Sequence, residues 1–180
     1  HFGENYPQEL ADKVTELADY TDICWHFIGP LQSNKTKLVA QSAQWVHSLD
    51  RLKIAQRLNE QRPDNLGKLN VLLQINISAE DSKAGVLPAD VLPLARQIST
   101  LSQVQLCGLM AIPAPAVNQD NSTAFARMQH LSAQLQQSFP LATQLSMGMS
   151  DDWQQALTFG ATMIRLGTAI FGARNYDKHE

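Results

Sequence analysis

The sequence predicts an α/β fold built on a parallel sheet, and three observations support this. Short apolar segments of strand character alternate with segments of helical periodicity along the whole chain. The clearest strand, residues 69–77, is continuously apolar at its centre, which is typical of a parallel strand buried on both faces. About seven strands are expected, and strict alternation of this kind implies helical crossovers between parallel strands.

Apolar spacing, turn residues and capping residues predict each element. In chain order they are a strand ending at Asn5, a helix over 7–20, a strand over 25–30, a helix capped by Ser33 or Asn34, a strand over 45–49, a helix capped by Asp50 that stops before Arg62, the strand over 69–77, a helix over 88–101, a strand over 105–112, a helix within 118–138, and two strand-to-loop passages over 145–150 and 163–168 separated by a helix that starts near Asp151.

Two architectures satisfy this alternation, a doubly wound open sheet and a (β/α) barrel. A TIM-type barrel has eight strands, and the chain opens abruptly in mid-strand at Phe2. We therefore expect a TIM-type (β/α)8 barrel whose first strand is missing from residues 1–180. No linker or repeat divides the chain, so these residues are predicted to form a single domain that is incomplete at its N-terminus.

Composition excludes several function classes. The net charge of −3 and the pI near 5.9, with no basic stripe, argue against a nucleic-acid surface. No apolar run approaches the roughly 20 residues of a membrane span, and no signal-peptide pattern opens the chain. Cys24 and Cys107 are predicted to be free thiols in a reducing cytoplasm. The histidines show no metal-ligand spacing, so structural or surface roles are predicted for His1, His26, His47, His130 and His179.

The last two loops carry the strongest functional signal. In a barrel, the loops after strands seven and eight often hold phosphate, and here they are Ser146–Ser150 and Gly167–Thr168. Small residues, hydroxyls and exposed amides suit an anion. The alternative is that Gly148 and Gly167 only permit turns and that Asp151 caps a helix. For Arg165, in an apolar strand, a ligand contact and a structural salt bridge both remain open.

The chain resembles the pyridoxal phosphate homeostasis family, single-domain barrels related to the N-terminal domain of alanine racemase. The motifs that carry the resemblance are FGENY (2–6), WHFIGPLQSNK (25–35), HSLDR (47–51), NIS (76–78), SKAG (82–85), GLMAI (108–112), LSMGMSDD (145–152) and RLGTAIFG (165–172). They occur in the family's order over nearly the whole chain, which makes the resemblance highly specific.

The resemblance implies that the chain binds pyridoxal 5′-phosphate (PLP) with Ser146, Met147, Gly148, Gly167 and Thr168 around the phosphate, Arg165 facing the pyridine nitrogen, and Asn5 near the ring. A cation beside that nitrogen disfavours its protonation and weakens the ring as an electron sink. The implied role is a cytoplasmic carrier or regulator of PLP, with PLP-requiring apoenzymes as possible recipients. The alternative is a PLP-dependent amino-acid racemase.

Lysine is the point at which the sequence departs from the family. The resemblance places the Schiff-base lysine on the first barrel strand, upstream of the FGEN motif, and Lys35, Lys37 and Lys83 do not match its motif. We therefore expect residues 1–180 to hold phosphate, sulfate or non-covalent PLP at most. Because the Lys83 loop matches the family, Lys83 is a candidate for a transient amine in PLP handover, with a solvated charge as the alternative.

Overall fold

A computed structural model of the chain describes residues 1–78, 84–113 and 120–172. Seven parallel strands form one sheet in chain order. They are β1 (Phe2–Glu4), β2 (Trp25–Phe27), β3 (Trp45–Leu49), β4 (Leu69–Ile75), β5 (Val104–Ala111), β6 (Gln144–Met149) and β7 (Met163–Arg165).

Helices connect the strands along the described part of the chain. They are α1 (Pro7–Glu16), α2 (Thr36–Ser42), α3 (Leu52–Gln61), α4 (Val91–Ile98), α5 (Ser122–Ser138), α6 (Trp153–Thr158) and α7 (Thr168–Phe171), with 3-10 turns at Ser33–Lys35, Asp64–Leu66 and Pro88–Asp90. In the three described ranges, no helix combines the length and the apolar character that crossing a membrane requires.

The sheet curves into a nearly closed barrel, which confirms the predicted α/β barrel class. Every strand pairs in parallel with the next one along the chain, from Phe2 beside Trp25 to Met149 beside Arg165. Strands β1 and β7 are the two ends of this described sheet. An eighth strand preceding His1 stays a prediction.

Two apolar clusters stabilise the barrel. The larger lies between the strands and the surrounding helices, and its fully buried side chains include Phe27, Leu58, Ile98 and Phe125. A smaller one contains Leu72, Cys107 and Met110, with Trp45 and Met163 packed against it. Since β3 and β7 are not neighbours in the sheet, this second cluster lies inside the barrel. Each fully buried large side chain contributes about 1.5–3 kcal/mol.

The predicted helix caps are wrong at two positions. The Asp50 carboxylate accepts hydrogen bonds from Arg51 Nη1 at 2.7 and 2.9 Å, and α3 begins after Arg51 without a side-chain cap. Residues 33–35 form a 3-10 turn, and α2 follows it, also without a side-chain cap. Arg51 holds the Asp50 carboxylate and a 3-10 turn occupies residues 33–35, so no side chain caps either helix at the predicted position.

Candidate cofactor-binding site

Arg165 ends β7 and contacts the two preceding strands of the sheet. Its Nη1 donates to Ser146 Oγ on β6 at 2.7 Å, and its Nη2 donates to the carbonyl oxygen of Ala111 on β5 at 3.0 Å. Burial lowers the pKa of Arg165 to about 10, while the Asp152 carboxylate acts in the opposite direction, so the guanidinium stays charged at neutral pH. Within the described ranges no carboxylate forms an ion pair with Arg165.

Ser146 and Met147 are both fully buried. The hydroxyl of Ser146 contacts Arg165 and also lies 2.9 Å from Nδ1 of His47. Met147 belongs to the cluster between strands and helices. Successive side chains of a strand point to opposite faces, so Ser146 faces the barrel interior and Met147 the helices. A phosphate contact from this segment is left to its backbone and stays a prediction.

Gly148 is required by the packing of α6. Its φ angle is +91°, and a Cβ added there would lie 2.6 Å from the Cβ of Ala156 and 3.1 Å from the Cα of Trp153. Any side chain would therefore strain the backbone and collide with the helix. This geometry explains the glycine by close helix packing. Asp151, the helix cap of the alternative interpretation, is exposed. The residue that precedes α6 is Asp152, whose Oδ1 accepts from the Met149 amide at 2.7 Å.

The loop after β6 meets the start of α7. The Ala169 amide lies 3.4 Å from Ser150 Oγ, the hydroxyl acceptor that joins the two loops. Gly167 and Thr168 are exposed beside this contact, and a Cβ added to Gly167 would have nothing within 4 Å. Ser150 is thus the hydroxyl of the first loop that lies at the second loop. The sequence prediction named Ser146 as a site residue and gave Ser150 only as the end of the loop; the position of Ser150 just beyond the end of β6 is the signal that could have identified it.

The remaining predicted residues have other surroundings. Asn5 follows β1 and is half-buried, and its backbone packs so closely on Gly29 that a Cβ there would lie 1.9 Å from the Asn5 carbonyl oxygen. No contact recorded for the described residues joins Asn5 to Arg165. Lys35 and Lys37 are exposed. Lys83 lies outside the described residues, so its role stays a prediction.

Sequence reasoning missed a row of histidines inside the barrel. Nδ1 of His1 lies 2.8 Å from Nε2 of His26, and Nδ1 of His26 lies 2.8 Å from Nε2 of His47, which in turn reaches Ser146. Burial lowers the pKa of His26 to about 4 and that of His47 to about 3. The neutral rings of His26 and His47 therefore connect the amino end of the barrel to Ser146, which contacts Arg165.

The hydrogen-bond donors of Arg165 and of the two loops fit a ligand that carries an anionic group and an aromatic ring nitrogen. A guanidinium offers only donors, so a ligand atom facing Arg165 must be an acceptor, such as an unprotonated ring nitrogen. Ser150 Oγ and the exposed backbone at Gly167 and Thr168 suit a phosphate. PLP combines these two groups in one molecule.

Comparisons with known proteins agree with this interpretation. Residues 1–175 match the family described as alanine racemase, N-terminal domain. The pyridoxal phosphate homeostasis protein of Pasteurella multocida is 55% identical over 181 residues, covering 98% of this chain and 78% of that protein. The protein of the same name from Escherichia coli K12 is 51% identical, covering 98% and 77%.

Solved structures show the same fold. PipY of Synechococcus elongatus, solved with PLP bound, is 40% identical with a TM-score of 0.85, and the match covers 96% of this chain and 81% of PipY. An alanine racemase from Clostridium difficile has a TM-score of 0.70 at 14% identity and supports the fold alone. The motif resemblance found in the sequence is thereby confirmed. The chain belongs to the alanine racemase N-terminal domain family and, within it, to the pyridoxal phosphate homeostasis proteins.

Proposed function

We propose that this chain binds PLP and acts in PLP homeostasis as a carrier or regulator of the cofactor. The observation that carries the proposal is Arg165, a half-buried cation held by Ser146 Oγ and the Ala111 carbonyl, next to two loops suited to phosphate. Relatives at about half identity that are named for PLP homeostasis, and PipY with PLP bound, support it.

The phosphate is held by the two loops that meet at Ser150. Ser150 Oγ and the backbone amides of Gly167 and Thr168 offer hydrogen-bond donors at this end of the barrel. Amides at the start of a helical turn and a nearby hydroxyl suit a dianion without requiring a basic side chain. In this proposal Arg165 does not hold the phosphate.

Arg165 is assigned to the pyridine nitrogen. When bound, PLP supplies an electron-withdrawing ring whose strength depends on protonation of that nitrogen. The guanidinium of Arg165 remains charged and contains only hydrogen-bond donors, so it favours an unprotonated ring nitrogen that can accept. Two anchoring hydrogen bonds, at 2.7 and 3.0 Å, hold the guanidinium in place. A weak electron sink suits storage of the cofactor better than turnover.

We further propose that the protein delivers PLP to apoenzymes in the cytoplasm, with Asn5 beside the ring. The composition, acidic and without a basic stripe, supports a small-molecule ligand in place of a nucleic acid. The racemase alternative makes a separate prediction. Turnover of an amino acid at even a few per second by the full-length protein, which is inside the common enzyme range, would contradict the carrier role.

Arg165→Ala tests the assignment of the two groups. We expect inorganic phosphate affinity to change by less than about 3-fold, or ~0.7 kcal/mol, while the absorption spectrum of bound PLP shifts because the ring nitrogen loses its cation. Ser150→Ala should weaken phosphate binding by roughly 10-fold, the loss of one hydrogen bond to an anion. Equilibrium dialysis and absorbance measure both effects.

The matched control is Arg96→Ala, which removes an exposed arginine from the last turn of α4. It should leave the phosphate affinity and the spectrum unchanged. Circular dichroism verifies that each variant is folded. Loss of phosphate binding in Arg165→Ala, together with normal binding in Ser150→Ala, would overturn the assignment.

A further inference from the structure

A second group of ligand-type side chains lies at the amino end of the barrel, away from Arg165. His1 precedes β1, Cys24 precedes β2, and His26 lies within β2. Cys24 Sγ is 3.6 Å from Nε2 of His26, and Nδ1 of His1 is 2.8 Å from the same nitrogen. One ligand atom from each residue lies within 4.8 Å of the other two.

The sheet register explains why these three meet. Strands β1 and β2 are parallel, with Phe2 beside Trp25 and Gly3 beside His26. Alternation along a strand puts His1 and Gly3 on one face, and Cys24 and His26 on the same face of the next strand. Gly3 has no side chain to separate the two histidines. The group thus follows from pairing between strands, and local sequence spacing cannot reveal it.

The ligand atoms of these three residues suit a zinc-type ion. Two imidazole nitrogens and one thiolate are borderline-soft ligands, and three protein ligands with a fourth position for water are a common arrangement for zinc. Burial raises the pKa of the Cys24 thiol, so coordination must displace the thiol proton, which is released to solvent.

The second ring nitrogen of His26, Nδ1, contacts a hydrogen-bond partner that can orient the ring as a metal ligand. Nδ1 of His26 lies 2.8 Å from His47 Nε2, and the ring stacks on Trp45 with centroids 5.6 Å apart and planes 5° apart. If Nδ1 carries the proton and donates it to His47, the lone pair of Nε2 points at Cys24 and His1. Metal-ligating histidines usually donate their other N–H in this way.

We propose that His1, Cys24 and His26 form a zinc-type transition-metal site at the amino end of the barrel. An ion on Nε2 of His26 fixes the proton on Nδ1, so His47 receives a hydrogen bond and donates its own Nδ1 proton to Ser146. Ser146 then accepts from both His47 and Arg165. The test of this site needs no bound cofactor.

Titration of the full chain with Co²⁺, a spectroscopic substitute for Zn²⁺, tests the site in a reducing buffer free of chelators. We expect one equivalent to produce a thiolate-to-cobalt charge-transfer band that Zn²⁺ removes by displacement. Cys24→Ser should lose the band, and Cys107→Ser, which removes the other thiol, should keep it. His1→Gln, at an exposed position, should weaken Zn²⁺ binding by at least about 10-fold.

His47→Gln tests the support of the ring, because replacing a partner of a metal ligand weakens binding by roughly 10-fold or more. Circular dichroism of each variant separates lost binding from lost folding. Absence of the charge-transfer band in the parent chain would overturn the proposal. So would a band of equal intensity in folded Cys24→Ser, or unchanged Zn²⁺ affinity in folded His1→Gln.

Discussion

Gly148→Ala tests whether this glycine is dictated by packing. The residue has a φ angle of +91°, and an added Cβ would lie 2.6 Å from Ala156 Cβ and 3.1 Å from Trp153 Cα. A left-handed backbone costs an L-residue about 1–2 kcal/mol, and overpacking a tight contact costs about 1–3 kcal/mol. We therefore expect Gly148→Ala to lower the free energy of unfolding by about 2–5 kcal/mol, a large part of the 5–15 kcal/mol of a typical domain.

Gly167→Ala is the matched control, because it changes the other glycine of the predicted anion site. Its φ angle is −116°, and an added Cβ would have nothing within 4 Å. We expect a change of less than about 0.5 kcal/mol. Urea unfolding followed by far-UV circular dichroism measures both variants. Equal unfolding midpoints for Gly148→Ala and the parent chain would refute the packing argument.

Two further predictions concern buried cationic and titratable groups. Arg62 donates to the carbonyls of Ala40, Ala43, Leu66 and Gly67 at 2.7–3.0 Å. Because charged donors contribute ~1.5–3 kcal/mol each, Arg62→Ala should lower the free energy of unfolding, measured with urea, by at least about 3 kcal/mol. A change below about 1 kcal/mol would contradict this. Folding lowers the pKa values of His26 and His47 from 6.5 to about 4 and about 3. The free energy of unfolding should therefore be highest above pH 6.5 and should fall as the pH decreases toward 4, because the unfolded chain binds more protons in that range. The decrease should be smaller in His47→Gln, and an identical pH dependence would count against the buried neutral ring.

Local sequence patterns determined the fold class and the position of the loops. The continuous apolar run around β4 and the helical spacing of the apolar residues in α5 are encoded within single elements, so strand and helix could be assigned without a structure. Parallel strands all end at the same edge of a sheet, and this placed Ser150 at the same end as Gly167 before any coordinates were known. The prediction of a helix cap was wrong at Asp50 because the neighbouring Arg51 binds its carboxylate.

Only the tertiary structure decided what the interior side chains contact. His47 and Ser146 are 99 positions apart in sequence, and their 2.9 Å contact exists because the sheet curves β3 toward β6. The grouping of Cys24 with His1 depends likewise on the β1–β2 register, which periodicity alone does not fix. The sequence by itself determined the elements and the edge at which the loops gather. Barrel curvature and strand register, which are set by packing across the whole sheet, decided that Ser146 anchors Arg165 and that the histidines line up behind it.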